Sequence, residues 1–128
     1  CRIGQCAELE TGEDRIISQL LGVTGTGKAL AGRAAVASPD TYIDGTEPPF
    51  LILHGSVDPA VSPDQSRALR NALEAAGVPV HMYLVPGGVH GLGGRLVDSV
   101  IQEFLDYYVK GEVTVDYREY TTGRFRQA

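Results

Sequence analysis

Apolar and polar positions alternate between two regimes along the chain. Phe50 to Leu53 is an unbroken apolar run bounded by Pro48-Pro49 and His54-Gly55. It is too short for a helix face and predicts a strand buried on both faces, as parallel strands are. Val78 to Val85 predicts a second strand. Between the two, Ser62-Pro63-Asp64-Gln65 has the composition of a helix start, with a capping Ser, Pro at the first helical position and Gln closing a capping box. Leu69, Ala72, Leu73 and Ala76 then form one apolar stripe, and Gly77 is placed to end the helix. Arg95 to Lys110 gives the clearest helical pattern, with Val97, Val100, Ile101, Phe104, Leu105 and Tyr108 at helical spacing and Gly111 after it. Upstream, Asp14 to Leu21 and the Ala-rich Lys28 to Ser38 predict two more helices, the second stopped by Pro39. Val113 to Arg118 alternates like an exposed strand, and the tail to Ala128 is polar.

Strand, helix, strand and helix in that order predict an α/β protein with parallel strands. The loops after both strands then leave the same sheet edge, where sites form in open α/β sheets. One loop carries Asp58 and the other carries His90. An imidazole with a pKa near working pH serves as general base and then general acid. A carboxylate on one ring nitrogen fixes the tautomer and stabilises the imidazolium. The plainer reading is a turn-capping Asp and an ordinary loop His; the shared edge favours catalysis.

The stretch PPFLILHGSVDPAVSPDQSRALRNALEAAGVPVHMYLVPGGVHG resembles the C-terminal part of α/β-hydrolase esterases and lipases, nearest to bacterial carboxylesterases related to feruloyl esterases and dienelactone hydrolases. The resemblance runs from about Asp14 to Gly111, and Ala37 to Pro39 fits the family's lead-in. It implies an α/β-hydrolase fold, with Asp58 in the HGxxD context as triad acid and His90 in the G-x-H-G context as triad base. It gives His54 a structural role beside the acid loop, and it implies hydrolysis of a carboxylic ester through a serine acyl-enzyme, with neither metal nor organic cofactor. A prolyl-peptidase-type enzyme shares the same pattern. The departure from the family is the nucleophile: the sequence holds no G-x-S-x-G elbow and no HGGG oxyanion segment. The expectation is therefore a C-terminal α/β-hydrolase segment over residues 1–111 with a polar tail over 112–128, completed by an upstream half that brings the serine. Such a segment alone is expected to be inactive and to self-associate through unpaired strand edge.

Composition narrows the partners. Hydrophobic residues make up 43% and charged residues 21% of the chain, as in ordinary globular domains. A net charge of −5 argues against nucleic acid and anionic membrane. No apolar run approaches the roughly 20 residues of a spanning helix. Cys1 and Cys6, spaced C-x4-C, lack a second pair for a zinc site; they can bridge in an oxidising compartment or stay as two free thiols, and free thiols are the preferred reading. Gly22 to Lys28, with Ala29, is one residue short of a phosphate-binding loop, because Ala cannot ligate Mg²⁺ where Ser or Thr is needed. A glycine loop is the preferred reading there. Nucleotide binding through Gly22 to Lys28, and a catalytically silent binding or scaffold module, are the readings that compete with the esterase. His81 lies inside a strand with no partner apparent in the sequence, and Tyr83, Tyr107 and Tyr108 read as packing residues.

Overall fold

The computed structural model describes residues 19–22 and 28–111. Helix α1 spans Lys28–Ala37 and is followed by a 3-10 turn at Pro39–Tyr42. Strand β1 is Phe50–Gly55, helix α2 Pro63–Ala75, strand β2 Val80–Val85 and helix α3 Arg95–Leu105, which widens into a π-helical turn at Asp106–Lys110. The two strands pair in parallel, from Phe50 opposite Val80 to Gly55 opposite Val85. Both strands therefore end at the same level, and the loops that follow start side by side.

The crossover helix forms for the reasons legible in its ends. Ser62 is the N-cap in extended conformation, its hydroxyl accepting from the Asp64 N–H at 3.3 Å, with Pro63 at the first position. At the other end the Gly77 N–H donates to Glu74 O and the Val78 N–H to Leu73 O, both at 3.0 Å. With Gly77 at φ +80, this is a Schellman closure. It also drives Val78 into the core, beside Ile52 and the fully buried Leu73. Phe50, Leu69, Ala76, Val80 and Met82 pack around those three, so α2 covers the face of the sheet carrying Ile52 and Met82.

The opposite face carries Leu51, Leu53, His81 and Tyr83. Burial of β1 on this side is partial: Leu51 and Leu53 are half-buried, whereas Ile52 on the helix-covered side is buried. Helix α3 buries Val97 and Val100, while Ile101 and Leu105 stay 38% and 42% exposed. Its expected α-helical course to Lys110 is corrected at Asp106, where the turn widens; Gly111, at φ +72, ends it as expected. His81 does have a partner: its Nε2 lies 2.7 Å from the Tyr108 hydroxyl, and its ring meets Phe104 edge-on at 6.2 Å. This contact ties the end of the last helix to the start of β2. Among the described residues no helix is long and apolar enough to cross a membrane. The expected helix at Asp14–Leu21 is described only at its end, where Gln19 and Leu20 are helical. The remainder of that helix, the two cysteines, the strand at Val113–Arg118 and the tail lie outside the described residues.

Candidate active site

Strand register brings the two loops together, and backbone hydrogen bonds lock them. Beyond the last strand pair, the Ser56 N–H donates to Val85 O and the Val57 N–H to Gly88 O, each at 3.0 Å. The Gly88 N–H closes a turn onto Val85 O at 3.0 Å, with Pro86 second and Gly87 third at φ +66, the arrangement of a type II turn. The Gly87 N–H also donates to Ser56 Oγ at 2.9 Å. Gly55 is buried against this turn, where a Cβ would lie 2.5 Å from the Gly88 carbonyl carbon and collide with the oxygens of Gly88 and Val89. Only glycine lets the backbones approach so closely. The H-G-x-x-D and P-G-G-x-H strings thus have one mechanical meaning: they let two loops touch.

That contact places the Asp58 carboxylate and the His90 imidazole in hydrogen bond, Oδ2 to Nδ1 at 2.9 Å. The other carboxylate oxygen, Oδ1, accepts from the N–H groups of Ala60 at 2.8 Å and Val61 at 3.0 Å. Asp58 is therefore held at both oxygens, with its side chain only 5% exposed; His90 is 64% exposed. Removal from water is the largest single influence on the Asp58 carboxyl and acts upward. The Val61 N–H, the His90 ring, the Ala60 N–H and attraction to the His90 charge outweigh it together, bringing the pKa down to about 2. Asp58 is consequently ionised throughout the working range. A carboxylate can only accept, so Nδ1 of His90 carries the proton and Nε2 presents its lone pair outward. No described residue hydrogen-bonds to that Nε2. An imidazole held this way can accept a proton from a group placed before it.

His54, the last side chain of β1, sits beneath this pair. Its Nδ1 is 2.7 Å from Ser66 Oγ on α2, its Nε2 2.9 Å from Val61 O and 3.4 Å from Asp58 Oδ2. The sequence placed His54 next to the acid loop; its contact with the carboxylate itself and the part played by Ser66 carried no sequence signal. Of the glycine loop, only Gly22 and Lys28 are described, in a turn and at the start of α1. Among the described residues no group of three or more His, Cys, Asp or Glu side chains is arranged to hold a metal ion.

Two comparisons bear on the chain. The family model described as BD-FAE matches residues 3–73, more than half of the sequence. That span contains Asp58 and ends before His90. Esterase LipQ of Mycobacterium tuberculosis is 36% identical over 81 residues, covering 58% of this chain and 19% of the esterase. The chain thus spans about a fifth of the length of that relative.

Proposed function

Because the chain belongs to the BD-FAE family, feruloyl esterase-like domains of the α/β-hydrolase fold, we propose that it serves in carboxylic ester hydrolysis, Asp58 being the acid and His90 the base of a serine triad. The observation that carries this reading is the 2.9 Å bond from His90 Nδ1 to Asp58 Oδ2 with Nε2 facing out. In the forward step Nε2 takes the serine proton as the hydroxyl attacks the ester carbonyl. The imidazolium, stabilised by Asp58, then gives that proton to the departing alkoxide. Water repeats the cycle on the acyl-enzyme.

The nucleophile comes from outside these 128 residues, in a G-x-S-x-G elbow on a neighbouring strand. Two features support this placement. None of the serines in the sequence lies in such an elbow, and among the described residues β1 pairs with β2 alone, which leaves its other edge open to a parallel strand. In this reading residues 1–111 are the C-terminal part of the hydrolase domain and residues 112–128 a tail beyond it. The decisive assay compares turnover of a short-chain p-nitrophenyl ester by the 128-residue chain alone and together with a segment carrying the elbow. Background turnover alone and His90-dependent turnover with the segment is the expected result. His90-dependent turnover by the chain alone would instead make a serine within it, such as Ser56 or Ser62, the nucleophile.

A further inference from the structure

His54 is fixed at both ring nitrogens. Val61 O has no proton to give, so the 2.9 Å contact requires the proton on Nε2 of His54. With Nε2–H assigned, Nδ1 of the neutral ring accepts from the Ser66 hydroxyl at 2.7 Å. Nε2 also lies 3.4 Å from Asp58 Oδ2, near enough for electrostatic attraction without a hydrogen bond. Oδ2 is also the atom bonded to His90 at 2.9 Å, so two imidazoles approach one carboxylate oxygen, one from the end of β1 and one from the loop after β2. Val61 closes the figure: its N–H donates to Asp58 Oδ1 while its carbonyl accepts from His54. The loop between them is otherwise open, with Pro59 and Ala60 exposed, whereas the His54 side chain is only 10% exposed. Strand, acid loop and helix α2 therefore meet in a single ring.

We infer that His54 is a positioning residue, acting through its Nε2–H on Val61 O, whose own N–H holds Asp58 Oδ1, to keep the acid in the orientation that holds His90 in its Nδ1–H tautomer. This rests on the reading of Asp58 and His90 as acid and base. It goes further by giving the orientation of the acid to a third side chain and to the hydroxyl of Ser66. A carboxylate free to rotate would let His90 populate the other tautomer, whose Nε2 carries a proton and cannot act as base.

Two substitutions separate this role from mere support of the loop. In His54→Gln the amide nitrogen reaches the place of Nε2 and can donate to Val61 O. In His54→Asn it reaches only the place of Nδ1, leaving Val61 O without its donor. The chain has three histidines, so long-range ¹H–¹⁵N spectra of ¹⁵N-histidine-labelled protein resolve each tautomer. Wild type is expected to show Nδ1–H at His90 and Nε2–H at His54. His54→Asn is expected to give a mixture of tautomers at His90, and His54→Gln to restore the single form. With the nucleophile segment present, kcat should fall by up to about 100-fold in His54→Asn, the scale of a roughly 1 Å misplacement, with most of the loss recovered by Gln. If Asn at this position unfolds the chain, Ser66→Ala carries the test by freeing the ring to turn, and it too should mix the His90 tautomers. A folded His54→Asn or Ser66→Ala protein with an unaltered His90 spectrum overturns the role of His54 while the pair stands. A wild-type His90 without the Nδ1–H form overturns the pair itself, and this inference with it.

Discussion

Gly55 and Gly88 touch backbone to backbone at the point where the two strands give way to the site loops, with no room for a Cβ on Gly55. Every later contact depends on this approach, including the bond from the Val57 N–H to Gly88 O and the meeting of Asp58 with His90. Gly55→Ala must therefore push the two loops apart, since the obstructing atoms are backbone and cannot swing aside. Overpacking of this kind costs roughly 1–3 kcal/mol. The expected outcome is a folded but less stable protein whose His90 no longer reports Asp58 by NMR. A variant with wild-type stability and an intact His90 tautomer would show that the loops do not need the contact.

Asp58 and His90 should behave as one unit in kinetics. In protein supplied with the nucleophile, Asp58→Asn is expected to leave the fold intact and lower kcat by up to about 10⁴, because Asn cannot hold the imidazole in the productive tautomer. His90→Ala should be comparably severe. The double variant should lose little more than either single one, since members of a triad act together. Two independent, multiplying losses would mean that the residues serve separate steps.

How much of this was legible in the sequence depends on the range of each interaction. The cap at Ser62, the Schellman closure at Gly77 and the end of the last helix at Gly111 are local, and local residue types dictate them. Asp58 and His90 were legible for a related reason: each follows a strand closely, and parallel strands deliver their loops to one edge. Register was not legible, and it decides whether the two side chains meet at 2.9 Å or miss. The contact between His81 and Tyr108 spans 27 residues and depends on how α3 lies against β2. The widening at Asp106–Lys110 likewise breaks no rule of spacing that a sequence pattern exposes. The family resemblance implied a structural role for His54, yet its bond to Val61 O and its 3.4 Å approach to Asp58 arise only when the acid loop folds back on the strand.

Acid should weaken the protein partly through Asp58. Its carboxyl pKa is about 2 in the folded chain against an ordinary 3.8. A group depressed in this way contributes stability that is complete above the unfolded value and lost as pH falls through the folded one. Asp44, lowered by Thr46, and Asp106, lowered by Lys110 and Gln102, act with the same sign, so wild type alone cannot isolate the share of Asp58. Denaturant midpoints of wild type and Asp58→Asn should differ by a constant amount above about pH 5 and converge toward pH 2. Parallel curves down to pH 2 would mean that the carboxylate is not specially stabilised in the fold.

His81 provides the control that separates stability from chemistry. It is the second residue of β2, four residues before Val85, and strands rise about 3.3 Å per residue, which puts it roughly 13 Å from the edge where His90 begins its loop. Its ring bonds to the Tyr108 hydroxyl and packs against Phe104, joining the last helical turn to the sheet. Tyr108→Phe removes the hydroxyl and keeps the ring, so the loss includes the hydrogen bond to His81, about 0.5–1.5 kcal/mol. For a domain of this size that lowers Tm by about 2–8 °C. His81→Ala removes the ring contacts as well and should cost more, and the two changes should not add, because they break the same bond. Neither should change kcat for an ester by more than about twofold once the nucleophile is supplied, since neither residue touches the site edge. Thermal melts and ester turnover on the same preparations check both halves. If His81→Ala were as inactive as His90→Ala while melting normally, the base would be at the other end of β2, and the assignment of His90 would fall.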